Sequence, residues 1–324
     1  MIMNASGCLD ALAAPAVARS LDAFVTKTVT PLPRRGNAPV RIAETDVGML
    51  NAIGLANDGV ERFLREALPR LARLGIPVRV SIAGFSACEY AELCGRLDKE
   101  EVEAIELNLS CPNATSAEEA TEEIVAEARA ATRKPLYAKL SPAVPDVAGV
   151  AAAAEAAGAD GLALVNTIRG LVLDGRLRPR LSTAAGGLSG PALRPIALAA
   201  VFAAYRATRL PIVAMGGIET GRHALEAIAA GASAVALGTI LFSDPEAAVR
   251  IRTELAVEAK RAGFENPLAA RGFAHREAGA GIGTIDENPC KNVRKELFAS
   301  RIGGARIARH AGGENAAPGS PSLA

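Results

Sequence analysis

Tryptophan is absent, and aromatic residues make up only 3% of the 324-residue chain. Stacking platforms for single-stranded nucleic acid are therefore scarce. Any core must be aliphatic, and with hydrophobic residues at 50% there is ample material for one. An excess of charge of one sign is also missing. The 36 basic and 35 acidic residues leave a net charge of +1, so no broad field draws in nucleic acid or an anionic membrane. The cysteines are odd in number, Cys8, Cys88, Cys94, Cys111 and Cys290, and no pair has CxxC spacing. That argues against a disulfide framework and against a structural zinc site. No uncharged apolar run of ~20 residues suggests a membrane span. The opening MIMNASGCLD does not read as a signal peptide. Without one, the Asn-x-Ser/Thr matches at Asn4, Asn108 and Asn113 mean little. The expectation is a cytoplasmic enzyme with no metal site, no nucleic-acid partner and no membrane partner.

What is present is alternation. Short apolar runs alternate with longer, Ala-rich segments of helical period. PVRVSIAGF, AIELNLS, PLYAKLSP, GLALVNT, PIVAMGG and AVALGTI read as strands, each followed by a helical segment. The helix after AIELNLS starts with Ser116 as N-cap and early acids that suit its positive end. Gly158 closes the helix DVAGVAAAAEAAGA. These make six βα units between Pro77 and Gly263, and IMNAS and AFVTKT upstream supply two further strands. Eight alternating units imply an α/β fold, a (β/α)8 TIM barrel. A doubly wound open sheet is the alternative, but no GxGxxG occupies a first βα turn. The barrel is expected to span residues 1–263. Residues 264–324 form a C-terminal extension whose end, GGENAAPGSPSLA, has the composition of a disordered tail.

Each apolar run ends in glycine or in something reactive. The ends are Ala5-Ser6-Gly7, Lys27-Thr28, Gly84, Asn108 to Cys111, Lys139, Asn166-Thr167, Gly216-Gly217 and Gly238-Thr239. A barrel gathers these ends on one face, where such folds carry their chemistry. The glycines closing the last two strands, each followed by a helix, fit a phosphate site. The simpler reading is that they only make tight turns. Lys139 lies in a strand expected to be buried, which is costly without a negative partner; Lys27 has the same character. Either lysine could equally be in a structural ion pair. Asn51, Asn108, Asn113 and Asn166 place four amides at rim or loop positions, which suits a small planar cyclic amide. Cys111, flanked by such amides, reads as the one thiol on this rim, with a proton-transfer or nucleophilic role.

The stretches NLSCPN, GMLNAIGL, AKLSP, VNT, GGLSGPALRPIAL and MGGIETGRHALEAIAAGASAVALGT together resemble class 1 dihydroorotate dehydrogenases, in order and spacing, from about Asn4 to Gly263. The resemblance implies FMN as cofactor and oxidation of dihydroorotate to orotate in pyrimidine biosynthesis. It makes Cys111 the base that removes the C5 proton while hydride passes from C6 to the flavin. It places Lys27, Asn51, Asn108, Asn113, Asn166 and Thr167 on the substrate. It assigns the cofactor to Ala5, Ser6, Gly7, Lys27, Thr28, Asn108, Lys139, Val165, Gly190, Gly216, Gly217, Gly238 and Thr239, with Ala5, Ser6 and Gly7 along the flavin ring and Gly190, Gly216, Gly217, Gly238 and Thr239 holding the phosphate end.

TKTVTPLPRRGNAPVRIAET resembles the NAD-linked, two-subunit subgroup. That implies an iron–sulfur flavoprotein as electron-transfer partner, with the cluster on the partner because this chain has no cysteine cluster. A homo-oligomer is also implied. A flavin barrel acting on another cyclic amide or pyrimidine is the nearest alternative. A sugar-phosphate isomerase or aldolase barrel explains the phosphate site but not Cys111 among four asparagines.

Overall fold

The structure is a computed structural model that describes residues 1–109 and 116–276. Cys111 and Asn113, and the tail beyond residue 276, lie outside the described residues. In chain order the first elements are β1 (Ile2–Asn4), α1 (Pro15–Arg19), β2 (Phe24–Val25), β3 (Ile42–Thr45) and β4 (Gly48–Asn51). Then come α2 (Gly59–Arg62), a π-helical turn (Phe63–Ala67), α3 (Leu68–Ala72), β5 (Val78–Ile82) and α4 (Ala87–Leu97). The middle holds β6 (Ala104–Asn108), α5 (Ala117–Ala131), β7 (Leu136–Leu140), α6 (Val147–Ala156), β8 (Gly161–Leu164), β9 (Ile168–Leu171) and β10 (Ala185–Ser189). The last are α7 (Arg194–Ala207), β11 (Ile212–Met215), α8 (Gly221–Ala229), β12 (Ala234–Leu237), α9 (Ile240–Ser243) and α10 (Ala247–Arg261).

Eight strands form one parallel sheet in the order β1-β12-β11-β8-β7-β6-β5-β2. This is the expected (β/α)8 barrel. Its seam is closed by a parallel bridge between Met3 and Ala23 and by the side chain of Asn4. The Asn4 amide donates to Val25 O at 2.7 Å and accepts from Val25 N at 2.8 Å. A fully buried asparagine thus takes the part of a missing strand residue.

Leucine, isoleucine, valine and alanine fill the layer between sheet and helices, as the composition requires; Leu93, Leu97, Ile105, Leu107, Leu136 and Leu162 are fully buried there. Strand alternation sends the other set of side chains inward. Inside the barrel these are small on one side: Ala23, Val25, Ala163, Val213, Ala234 and Ala236, with Met3 and Met215. Long polar chains occupy the opposite side, from β5, β6 and β7. The Arg79 guanidinium lies 4.5 Å over the Tyr137 ring and bonds Glu103 at 2.9 Å.

The helix starts are set by local chemistry. Ser86, Ser116 and Thr220 cap α4, α5 and α8, each accepting from the backbone N–H three residues on. Gly158, at φ +98°, ends α6.

A second sheet, antiparallel and not foreseen from the sequence, has the order β3-β4-β10-β9. It is built from the β2–α2 connection and the long loop after β8, and its Asn51–Gly187 pairing brings the NAIGL loop back over the barrel mouth. The chain past Gly263, read from sequence as an extension, packs on the barrel in its first part. His275 stacks on Phe202 at 3.8 Å and bonds Ala230 O at 2.9 Å. Among the described residues no helix is long and apolar enough to cross a membrane.

Candidate active site

All eight strand ends open on a cavity of about 670 Å3 beneath the small sheet, within the usual range for a small-molecule site. Every candidate residue within the described part lines it. Ala5, Ser6 and Gly7 follow β1, and Lys27 and Thr28 follow β2. Asn108 closes β6, Lys139 lies near the end of β7, and Val165, Asn166 and Thr167 follow β8. Gly216 and Gly217 follow β11, and Gly238 and Thr239 follow β12. Asn51 and Gly190 come from the antiparallel sheet and the turn after it.

The polar groups are organised as a chain across the floor. Asn166 donates its amide to Asn108 Oδ1 at 2.8 Å, and Asn108 donates to Thr28 Oγ1 at 3.4 Å. Thr28 and Ser81 hydroxyls meet at 3.1 Å, and Tyr90 donates to Asn108 O at 2.7 Å. Asn108 is therefore clamped from both sides. Lys139 is only 5% exposed. Its ammonium donates to Ser6 Oγ at 2.7 Å and faces the buried Glu106 carboxylate at 3.6 Å. The negative partner its burial demands is thus in the strand next door. Lys27 is half-buried, and its pKa is lowered, first by desolvation and also by Lys139, against an opposing pull from Cys8.

One end of the cavity is made by backbone. Gly190, Gly216 and Gly217 adopt φ of +96°, +122° and +68°, a region that side chains disfavour. At Gly217 an added Cβ would stand 2.8 Å from both Gly190 O and Arg194 Cβ. The chain then enters α8, capped by Thr220, while Thr239 donates to Ser189 Oγ at 2.9 Å at the start of α9. The α8 start itself is occupied, Gly221 N donating to the Glu254 carboxylate at 2.7 Å; the glycine turns with the Ser189 and Thr239 hydroxyls make this end of the cavity the candidate anion site.

The sequence reading needs one correction. Cys111 was read as the one thiol on the rim; among the described residues Cys8 lines the cavity, half-buried beside Lys27. Burial raises the pKa of its thiol, Glu106 adds to that, and Lys139 and Lys27 pull it down. Its position one residue past Ala5-Ser6-Gly7 was the available signal. Ser189 and Glu106 also escaped that reading. Glu106 could have been found because it precedes Asn108 by two residues and so shares its face.

A (β/α)8 barrel with an anion cradle after its last two strands, and a buried cation and linked amides on its floor, is an oxidoreductase-type cofactor barrel. Residues 1–258 match the family described as dihydroorotate dehydrogenase. The chain belongs to that family, flavin-dependent oxidoreductases of pyrimidine biosynthesis, and resembles its two-subunit class 1 subgroup. It is 49% identical over 268 residues to the dihydroorotate dehydrogenase B (NAD+) catalytic subunit of Desulforudis audaxviator, covering 80% of this chain and 87% of that one. It is 44% identical over 263 residues to the protein of the same name from Trichlorobacter lovleyi, covering 78% and 84%. A crystal structure of DHODH from Eimeria tenella, in complex with ferulenol, superposes with a TM-score of 0.72 at 26% identity, covering 85% of each chain.

Proposed function

We propose that this chain oxidises dihydroorotate to orotate with FMN as its flavin, Cys111 as base, and a separate electron-transfer subunit as the onward acceptor. The observation that carries the reading is that residues chosen from sequence, scattered from Ala5 to Thr239, line a single cavity with Lys139 under it. The residues present fit FMN. Gly190, Gly216, Gly217, Gly238 and Thr239 would hold a terminal phosphate, in a cradle with no room for a Cβ at Gly217. Ala5, Ser6, Gly7, Thr28 and Val165 would lie along the ring. When bound, FMN supplies a two-electron acceptor.

The protein's own part is positional and acid–base. Asn51, Asn108, Asn113 and Asn166, with Thr167 and Lys27, would hold the pyrimidine ring and its carboxylate. Asparagine suits this task because it both donates and accepts. Cys111 would take the C5 proton on its Sγ; this assignment rests on the family resemblance. Lys139 places a fixed positive charge where negative charge develops, an interaction that acts on the chemical step. The small sheet covers the mouth and limits water.

Names of relatives as catalytic subunits support a partner protein that accepts the electrons; a homo-oligomeric, cytoplasmic enzyme is part of the same proposal and rests on the family resemblance. The test is direct. Cofactor released by heat should chromatograph as FMN; FAD, or no flavin, sinks the cofactor assignment. Anaerobic stopped flow should show flavin bleaching by dihydroorotate, with Cys111→Ala slower by ~100- to 10,000-fold. A Cys111→Ala protein that bleaches as fast as wild type removes the base assignment.

A further inference from the structure

Glu106 is a buried carboxylate that none of these roles uses. It lies on the inward face of β6, two residues below Asn108, with its side chain 6% exposed. Its Oε1 makes no hydrogen bond, and the Lys139 ammonium, equally buried, stands 3.6 Å away. A carboxylate this deep is costly unless an opposite charge faces it. Arg79, deeper in the barrel, is bonded to Glu103 and stacked on Tyr137. The charge that Glu106 answers is therefore that of Lys139. The floor holds two lysines, Lys27 and Lys139, against one carboxylate, Glu106; a second carboxylate, Glu219, lines the same cavity beyond Gly217.

Resting on the FMN reading, we propose that Glu106 is a positioning residue: its carboxylate anchors the Lys139 ammonium at the floor and offsets part of its charge. The floor then favours the reduced, more negative flavin only as far as lets an acceptor take the electrons away. With Lys139 unopposed, two positive charges would face the ring and the reduced form would be held too firmly.

The discriminating measurement is the flavin midpoint potential by dye-equilibrated titration, which needs no dihydroorotate. Glu106→Gln keeps the shape and removes the charge. Its potential should rise by roughly tenfold or more in the reduction equilibrium, about 30 mV for a two-electron couple. Glu106→Asp keeps the charge and should stay near wild type. Lys139→Met should lower the potential, and the Glu106→Gln/Lys139→Met pair should lie above Lys139→Met alone. In stopped flow, Glu106→Gln should show reoxidation slowed relative to reduction. A flavin-loaded Glu106→Gln with an unchanged or lower potential overturns the proposal. If that variant does not keep its flavin, a double mutant with the same potential as Lys139→Met overturns it instead. A wild-type protein without FMN would overturn the cofactor reading, a separate outcome seen before any mutant is made.

Discussion

A lysine that is 5% exposed was the most legible residue of the site, because the strand carrying it is apolar on both sides. Its partner was less so: a glutamate in AIELNLS looks like an ordinary polar interruption until the next strand is known to bring an ammonium within 3.6 Å. The pair also bears on stability. Lys139→Met leaves Glu106 buried and unopposed, so flavin-free protein should lose about 3 kcal/mol in urea unfolding. Adding Glu106→Gln should restore part of that loss, because the two sites are in contact and do not add. A double mutant that loses the sum of the single losses would mean the two charges do not interact. Cys8 was harder to see. A thiol reads as a small hydrophobe unless the fold shows that the chain bends at Gly7, φ +80°, and turns it into the mouth.

At the scale of elements, strands and helices of the barrel were legible because each βα unit carries a sharp change of period and an N-cap or glycine stop. Strands β3, β4, β9 and β10 were not. They are four or five residues long, and AGGLS and IRGL have neither β-branched runs nor regular alternation. Their pairing is decided by the barrel mouth they cover, not by local preference. Strand β2 is likewise a two-residue piece of the longer AFVTKT. It stops at Thr26, whose N–H still bonds Arg79 O at 3.0 Å, before Lys27 and Thr28 line the cavity. The cap of α8 offers a test at this scale. Thr220 accepts from His223 N at 3.2 Å, so Thr220→Ala should cost about 1 kcal/mol. The loss should be read as a lower urea midpoint. An unchanged midpoint would mean that the Thr220 cap does not hold the helix start.

The barrel depends on closure, and at the β1–β2 seam closure rests largely on two side chains: Asn4, bonded to Val25, and Asp22, which accepts from Ile2 N at 2.7 Å. The two bonds from Asn4 to Val25 replace a ladder that β1 and β2 otherwise make through a single bridge. Asn4→Leu keeps the size but leaves both Val25 backbone groups buried and unpaired. The expected loss is about 2–6 kcal/mol, at ~1–3 kcal/mol for each group, read as a lower urea midpoint. No loss would mean that the seam is held elsewhere. Asn4 drew notice in the sequence only as a sugar-attachment pattern, since nothing local says that a residue four from the start will lie fully buried at a seam. The same seam sets an order on synthesis. Ile2, Met3 and Asn4 pair with Val235, Ala236 and Leu237. β1, made before the rest of the barrel, therefore waits for nearly the last barrel strand before its outer edge is covered. Until then a nascent chain carries β1 as an open sheet edge, the kind of surface that chaperones shield.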